Sequence, residues 1–331
     1  MTGTIVPLEL AEAVRAGKRS AMARAITLVE SGRADHRAAA RELITALTPP
    51  PDADVAPAWR LGISGIPGVG KSTFIETLGM RLIEQGHRVG VLAVDPSSAR
   101  TGGSVLGDKT RMPRLAAADD AYVRPSPTRG TLGGVARATT QAITIVEAAG
   151  FDVVLVETVG VGQSEIAVAQ MVDTFLLLAL ARSGDQLQGI KKGVLEIADI
   201  IAVNKADGDH LADARVAVRE LSGALRMVYA GASGWVPKAV TCSGLTGDGM
   251  DAVWDLVSEH RAALGPAGIA RKRAEQQWSL VETTVRDELL DRLRRSPAVA
   301  AAMDDARSKV SSGDLPAAAA ADLILDALFD D

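Results

Sequence analysis

Gly65-Ile66-Pro67-Gly68-Val69-Gly70-Lys71-Ser72 fits the pattern G-x-x-x-x-G-K-[ST] without a mismatch. The octapeptide follows a short apolar run, Leu61–Ser64, and precedes a helical pattern, which is the setting in which it forms a phosphate-binding loop. Its glycines allow a turn whose main-chain amides point inward at phosphate. Lys71 offers an ammonium to the outer phosphates, and Ser72 offers a hydroxyl to Mg²⁺. The helix behind the loop adds a favourable dipole. Gly65, Pro67, Gly68, Val69, Gly70, Lys71, Ser72 and Thr73 are therefore the expected phosphate contacts.

Working outward from this loop, short apolar runs alternate with helical stretches between Trp59 and about Leu264. The runs are Leu61–Ser64, Val89–Val94, Asp152–Val156, Thr174–Ala181, Ile200–Val203 and Ala239–Thr241. Most are continuous rather than alternating, as strands covered on both faces require. Repeated strand-then-helix units predict a mostly parallel α/β sheet with right-handed crossovers. Residues 1–58 precede this domain as an Ala-, Arg- and Leu-rich extension of two or three short helices. The extension ends in a connector with four prolines between Thr48 and Ala58, a semi-rigid composition. After Gly265-Pro266 the chain reads as helical to its end, with Trp278, Val281, Val285, Leu289 and Leu293 on one stripe. This arm, residues 265–331, either packs back on the core or forms a dimer seam.

Composition narrows the function. Of 331 residues, 47% are hydrophobic but only 3% aromatic, which suits an aliphatic core around a buried sheet. A net charge of −5 supplies no basic field for a polyanion, so nucleic acid is not an expected partner. The single cysteine, Cys242, permits no internal disulfide and favours a cytoplasmic setting. No secretion signal is legible at the N-terminus, and no apolar stretch is long enough to suggest a membrane partner.

Asn204-Lys205-Ala206-Asp207 stands directly after the run Ile200–Val203. N-K-x-D at the end of a late strand reads guanine. The Asp207 carboxylate accepts from N1–H and the N2 amine, whereas adenine lacks both donors and would leave a desolvated acid unpaired. Sites built on such pairing discriminate by about 10⁴ to 10⁵ in favourable cases. Asn204 braces the loop in this reading, and the Lys205 stem stacks over the base. Cys242, Ser243 and Gly244 end the next strand and resemble the short loop that closes over guanine O6. The expected cofactors are GTP or GDP with Mg²⁺.

Glu157-Thr158-Val159-Gly160 follows Val153–Val156, where a metal-side acid and a γ-phosphate amide belong. Glu157 is expected to hold Mg²⁺ through water; a plain turn cap is the alternative. The residue after Gly160 is Val161, where Ras-like enzymes carry a water-orienting glutamine; Gln163, two residues on, either reaches the water in its place or does not, so slow intrinsic hydrolysis is expected, raised by another loop or a partner. Asp95 closes the strand Val89–Val94, and Asp108 follows in a Gly-rich stretch. Both are candidate Mg²⁺-side acids of a first switch loop, with an N-cap and a solvated loop acid as the bland readings. Ser183 to Gly193 reads as a third mobile loop, in which Lys191 or Lys192 neutralises transition-state charge, or as an ordinary surface loop. His36, His87, His210 and His260 are scattered and are read as solvated residues rather than ligands.

GIPGVGKST, VDPSSARTGGSVLGDKTRM, ETVGVGQSE, GDQLQGIKKG and NKAD, in this order and spacing, resemble the MeaB/ArgK-type P-loop GTPases over nearly the whole chain. The resemblance implies a GTPase chaperone of an adenosylcobalamin-dependent acyl-CoA mutase, methylmalonyl-CoA mutase above all, that gates cofactor loading and protects the mutase. It also implies a homodimer through the C-terminal arm, three switch loops, Asp95, Asp108 and Glu157 as metal-side acids, and Asp185 to Lys191 as the third switch. Two other readings stand beside it. A P-loop kinase of a small molecule or a transport-system component leaves NKAD without purpose, and a nickel-delivery GTPase lacks the metal ligands it needs.

Overall fold

A computed structural model of the chain describes residues 6–50, 56–95, 111–127, 132–158, 164–181, 196–231 and 234–329. Seven parallel strands among these form one sheet: β1 (Trp59–Gly65), β2 (Val89–Asp95), β3 (Ala121–Pro127), β4 (Val153–Thr158), β5 (Thr174–Leu180), β6 (Ile200–Asn204) and β7 (Lys238–Thr241). Their spatial order is β3-β2-β4-β1-β5-β6-β7, and every pairing is parallel.

Six of these strands coincide with the apolar runs of the sequence; β3 does not. Its stretch, Ala-Tyr-Val-Arg-Pro-Ser-Pro, holds two prolines and an arginine, and prolines demote a run in any reading of pattern. Here β3 is an edge strand with β2 as its neighbour. Alternate residues send their N–H groups to the same side of a strand, so Pro125 and Pro127 place both missing donors on the unpaired side. The edge tolerates what a central strand would not.

The sheet is covered on both faces, as continuous apolar runs require. Val154, Val156, Leu177 and Val203 face one layer, with Met22, Leu43, Ile143 and Val146. Val153, Leu155, Leu176 and Ile200 face the other, with Phe74, Leu78, Leu115 and Val253. The first layer includes α1 (Pro7–Arg15), α2 (Arg19–Val29) and α3 (Ala34–Leu47), together with α6 (Leu132–Ala148), α7 (Ser164–Ala169) and α8 (Leu211–Val228). The second layer is α4 (Lys71–Glu84), α5 (Pro113–Ala117) and the start of α9 (Met250–Arg295). Helix α2 is tied to the β3 edge near both its ends. Arg19 Nη2 donates to the carbonyls of Asp119 and Ala121 at 2.8 Å, and Arg124 meets Glu30 at 2.7 Å.

Two compact units divide the chain, residues 1–276 and 277–331. In the first, α9 runs through Gly265, whose φ of 63° and ψ of 172° break the helix locally beside Pro266. Further along α9, Arg273 grips the Asp173 carboxylate with Nε at 2.8 Å and Nη2 at 2.6 Å, and Lys272 donates to the Asp173 carbonyl at 2.6 Å. This fork anchors the helix at the start of β5. The second unit holds the end of α9, α10 (Pro297–Ser312) and α11 (Ala317–Phe329). Ser296 caps α10 by accepting from Val299 N, and Gly313 closes it in the left-handed region. No helix among the described residues is long and apolar enough to cross a membrane.

Candidate nucleotide site

The phosphate loop lies between β1 and α4. Gly70 caps α4 with a φ of 97°, and a Cβ there would meet Asn204 Nδ2 at 2.9 Å, so both backbone conformation and space select glycine. Val69 is fully buried and anchors the loop from below, while Pro67, Gly68 and Thr73 are exposed. Ser64 and Thr158, at the ends of β1 and β4, share a buried hydroxyl hydrogen bond of 2.8 Å. That bond ties together the tips of the two strands.

Lys71 is buried and folds its ammonium back onto the loop, donating to the Gly65 carbonyl at 2.8 Å and the Ile66 carbonyl at 3.4 Å. Burial pushes it below the usual lysine range, opposed by the Glu157 and Glu165 carboxylates and reinforced by Arg111. Ser72 Oγ lies 3.4 Å from Glu157 Oε1, and Glu157 is 6% exposed at the tip of a buried strand. A hydroxyl and a carboxylate converging on one spot beside the phosphate loop are the hard oxygen donors that Mg²⁺ takes. Asp95 ends β2 two strands from the loop. Its side chain, together with Asp108, Gly160, Gln163 and the Asp185 to Lys191 segment, lies outside the described residues.

On the base side, Asn204 is buried and works in two directions. Its Nδ2 donates to the Val69 carbonyl at 2.8 Å, and its Oδ1 accepts from Gly244 N at 2.9 Å. Lys205 is the one non-glycine residue among those described with a positive φ, 61°. Such strain collects at functional sites; here it turns the lysine stem toward Gly70, with Cε 3.8 Å from where a Gly70 Cβ would stand. Ser243 Oγ donates to Asp207 Oδ1 at 2.6 Å, fixing the carboxylate. Cys242 joins the loop to β6 through its main chain, with N donating to the Val203 carbonyl at 2.9 Å. Its thiol is buried in the core and pushed up to about 12 by that burial, so it packs beneath the loop as an inert neighbour of Asn204.

Some contributors escaped the sequence. Thr77 Oγ1 donates to the Gly244 carbonyl at 2.6 Å, and Arg81 Nη1 to the Gly247 carbonyl at 2.7 Å, so α4 holds the base loop as well as the phosphate loop. Neither residue belongs to a motif, and only the fold brings them across the chain. His260 corrects the expectation of solvated histidines. It is 2% exposed, with Nδ1 2.8 Å from Thr174 Oγ1 and Nε2 3.4 Å from Asp199. Its helix face packs at the start of β5, and an isolated histidine in a sequence carries no sign of that.

A P-loop nucleotide-binding protein of the GTPase class is what this fold and site make of the chain. The chain belongs to the MeaB family: residues 22–298 match the family described as methylmalonyl Co-A mutase-associated GTPase MeaB. A probable GTPase of Mycobacterium tuberculosis is 58% identical over 318 residues, 96% of this chain and 94% of its own. The mitochondrial methylmalonic aciduria type A homolog of Mus musculus is 44% identical over 94% of this chain and 77% of its own. Among solved structures, one titled LAO/AO transport system kinase superposes with a TM-score of 0.76 at 33% identity, covering 98% of each chain.

Proposed function

We propose that this GTPase is a Mg²⁺-dependent switch that serves an adenosylcobalamin-dependent acyl-CoA mutase, methylmalonyl-CoA mutase above all. It gates cofactor loading and protects the loaded enzyme, and its own hydrolysis is slow until the partner engages. The observation that carries this reading is the family match across residues 22–298, whose description pairs the GTPase with that mutase. The mouse relative points the same way.

In this reading Lys71 leaves the Gly65 carbonyl for the β- and γ-phosphates, and the main-chain N–H groups of 65–73, which Pro67 lacks, neutralise the remainder. Mg²⁺, when bound between Ser72 and Glu157, supplies positive charge to the β- and γ-oxygens. Asp207 reads the base, braced by Asn204, Lys205 and the 242–244 loop. Asp95, Asp108, Gly160 and Lys191 complete the proposed metal and switch set. The domains are residues 1–58, 59–264 and 265–331, and the last pairs two copies of the chain. The stripe of Trp278, Val281, Val285 and Leu289, about half exposed or more, supports that pairing.

The test is co-purification of the full chain with methylmalonyl-CoA mutase, with GDP and with a non-hydrolysable GTP analogue, followed by GTP hydrolysis with and without the mutase. Nucleotide-dependent capture and faster hydrolysis are expected. Absence of both effects overturns the partnership. The similarity to a structure titled as a kinase favours one second reading, phosphoryl transfer to an acceptor. Transfer of labelled γ-phosphate to a protein or small molecule, rather than release, would support it.

A further inference from the structure

Glu165 is 9% exposed, yet its Oε2 has no hydrogen-bond partner among the described residues. It stands in the first turn of α7, the helix that follows β4 and the segment 159–163. Val168, one turn on, is fully buried. A Cβ placed on Gly62 of β1 would lie 2.9 Å from Val168 Cγ1 and from Val172 Cγ2, so this face of α7 is pressed directly on the strand that leads into the phosphate loop. Residues three apart share a helix face. Glu165 therefore points inward at the end of α7 nearest the carboxyl ends of the strands. It stands close enough for its charge to act on the Lys71 ammonium.

A buried carboxylate oxygen without a donor is costly. A triphosphate in the loop raises that cost unless a proton-bearing group stands between the two. Glu157 is already turned to Ser72, the metal-side hydroxyl. On the γ-phosphate side, the residue after Gly160 is Val161, which has no acceptor for the attacking water. Val161 offers the water no side-chain acceptor, and Glu165 Oε2 lacks a donor among the described residues.

We infer that Glu165 is a catalytic residue of GTP hydrolysis, its Oε2 accepting a hydrogen bond from the attacking water and holding that water in line with the γ-phosphorus. The water oxygen bonds to phosphorus as the bond to the β–γ bridging oxygen breaks, its electron pair leaving on GDP. One water proton passes to a phosphate oxygen, giving inorganic phosphate.

The test is single-turnover GTP hydrolysis by the full chain and by Glu165→Ala and Glu165→Gln, with affinities for GDP and a non-hydrolysable GTP analogue measured alongside. Glu165→Ala is expected to lower the rate by about 10²-fold, the lower end of what a positioned acceptor contributes, with both affinities unchanged. Glu165→Gln keeps an amide oxygen in the same place and is expected to recover part of the rate. Should the alanine variant fail to fold, Glu165→Leu fills the space without an acceptor and takes its place. The assignment is overturned by a parent-like rate in the variant lacking the acceptor, or by affinities that fall in step with the rate. It is also overturned if excess Mg²⁺ restores that variant, or if the glutamine variant is no faster.

Discussion

Asn204 Nδ2 donates to the Val69 carbonyl at 2.8 Å across 135 residues of chain, so the base-side loop and the phosphate loop hold each other. The same side chain takes Gly244 N–H at 2.9 Å. Removing it strands two buried backbone groups, each costing about 1–3 kcal/mol when unpaired. Asn204→Ala is therefore expected to lose about tenfold or more in GDP affinity and to melt earlier. Titration calorimetry with GDP measures the first; parent-like affinity would mean the two loops are not coupled through this residue.

Asp207→Asn tests the base reading. Guanine N1–H and the N2 amine both require an acceptor, and an amide in that place turns one acceptor into a donor. XTP carries a carbonyl where GTP has the amine, so the preference is expected to move toward XTP, with GTP affinity falling by about 10²-fold or more. Ser243, 2.6 Å from Oδ1, holds either side chain in position. Competition of GTP, XTP and ATP for the bound nucleotide reads the outcome, and undiminished GTP binding would remove the role given to Asp207.

The phosphate loop and NKAD were legible because their chemistry is contiguous: a run of a few residues forms each and dictates its own backbone. Six strands were legible for a similar reason, since burial on both faces writes an unbroken apolar run. What escaped depends on contacts between distant segments. The Pro-bearing edge strand Ala121–Pro127 is a strand only because β2 pairs one side of it. Thr77 and Arg81 reach Gly244 and Gly247 only because α4 and the base loop are neighbours in space. Glu165 looks like a helix-start acid until Val168 and Gly62 show which way its helix faces.

Gly244 is held by space. A Cβ there would lie 2.9 Å from both the Phe74 nitrogen and Cα, backbone atoms that cannot swing aside. Gly244→Ala is expected to cost about 1–3 kcal/mol through overpacking and to weaken GTP binding as the loop shifts. Gly223, in the middle of α8 with nothing within 4 Å of its would-be Cβ, is the control. Alanine there is expected to stabilise by about 0.5–1 kcal/mol without touching affinity. Urea unfolding of both variants decides; equal effects at the two sites would mean that the base loop yields freely.

His260 gives the protein a dependence on pH. Burial holds it below the ordinary imidazole value of 6.5; Asp199 and Asp173 pull it up, and Lys272 pushes it further down. The neutral form satisfies both neighbours, with Nδ1 accepting from Thr174 Oγ1 and Nε2–H facing Asp199. Between the depressed folded value and the ordinary one, the unfolded chain binds a proton that the folded chain refuses. Stability from this group is therefore whole above the ordinary value and falls as the pH drops through that window, by at most about 1.4 kcal/mol per pH unit. Urea midpoints of the parent and of His260→Gln, from about pH 7.5 to about pH 5.5, are expected to diverge, with the parent the steeper. Other groups titrate in both proteins and cancel, so parallel curves would mean that the imidazole keeps its proton affinity on folding despite being sealed between β5 and α9.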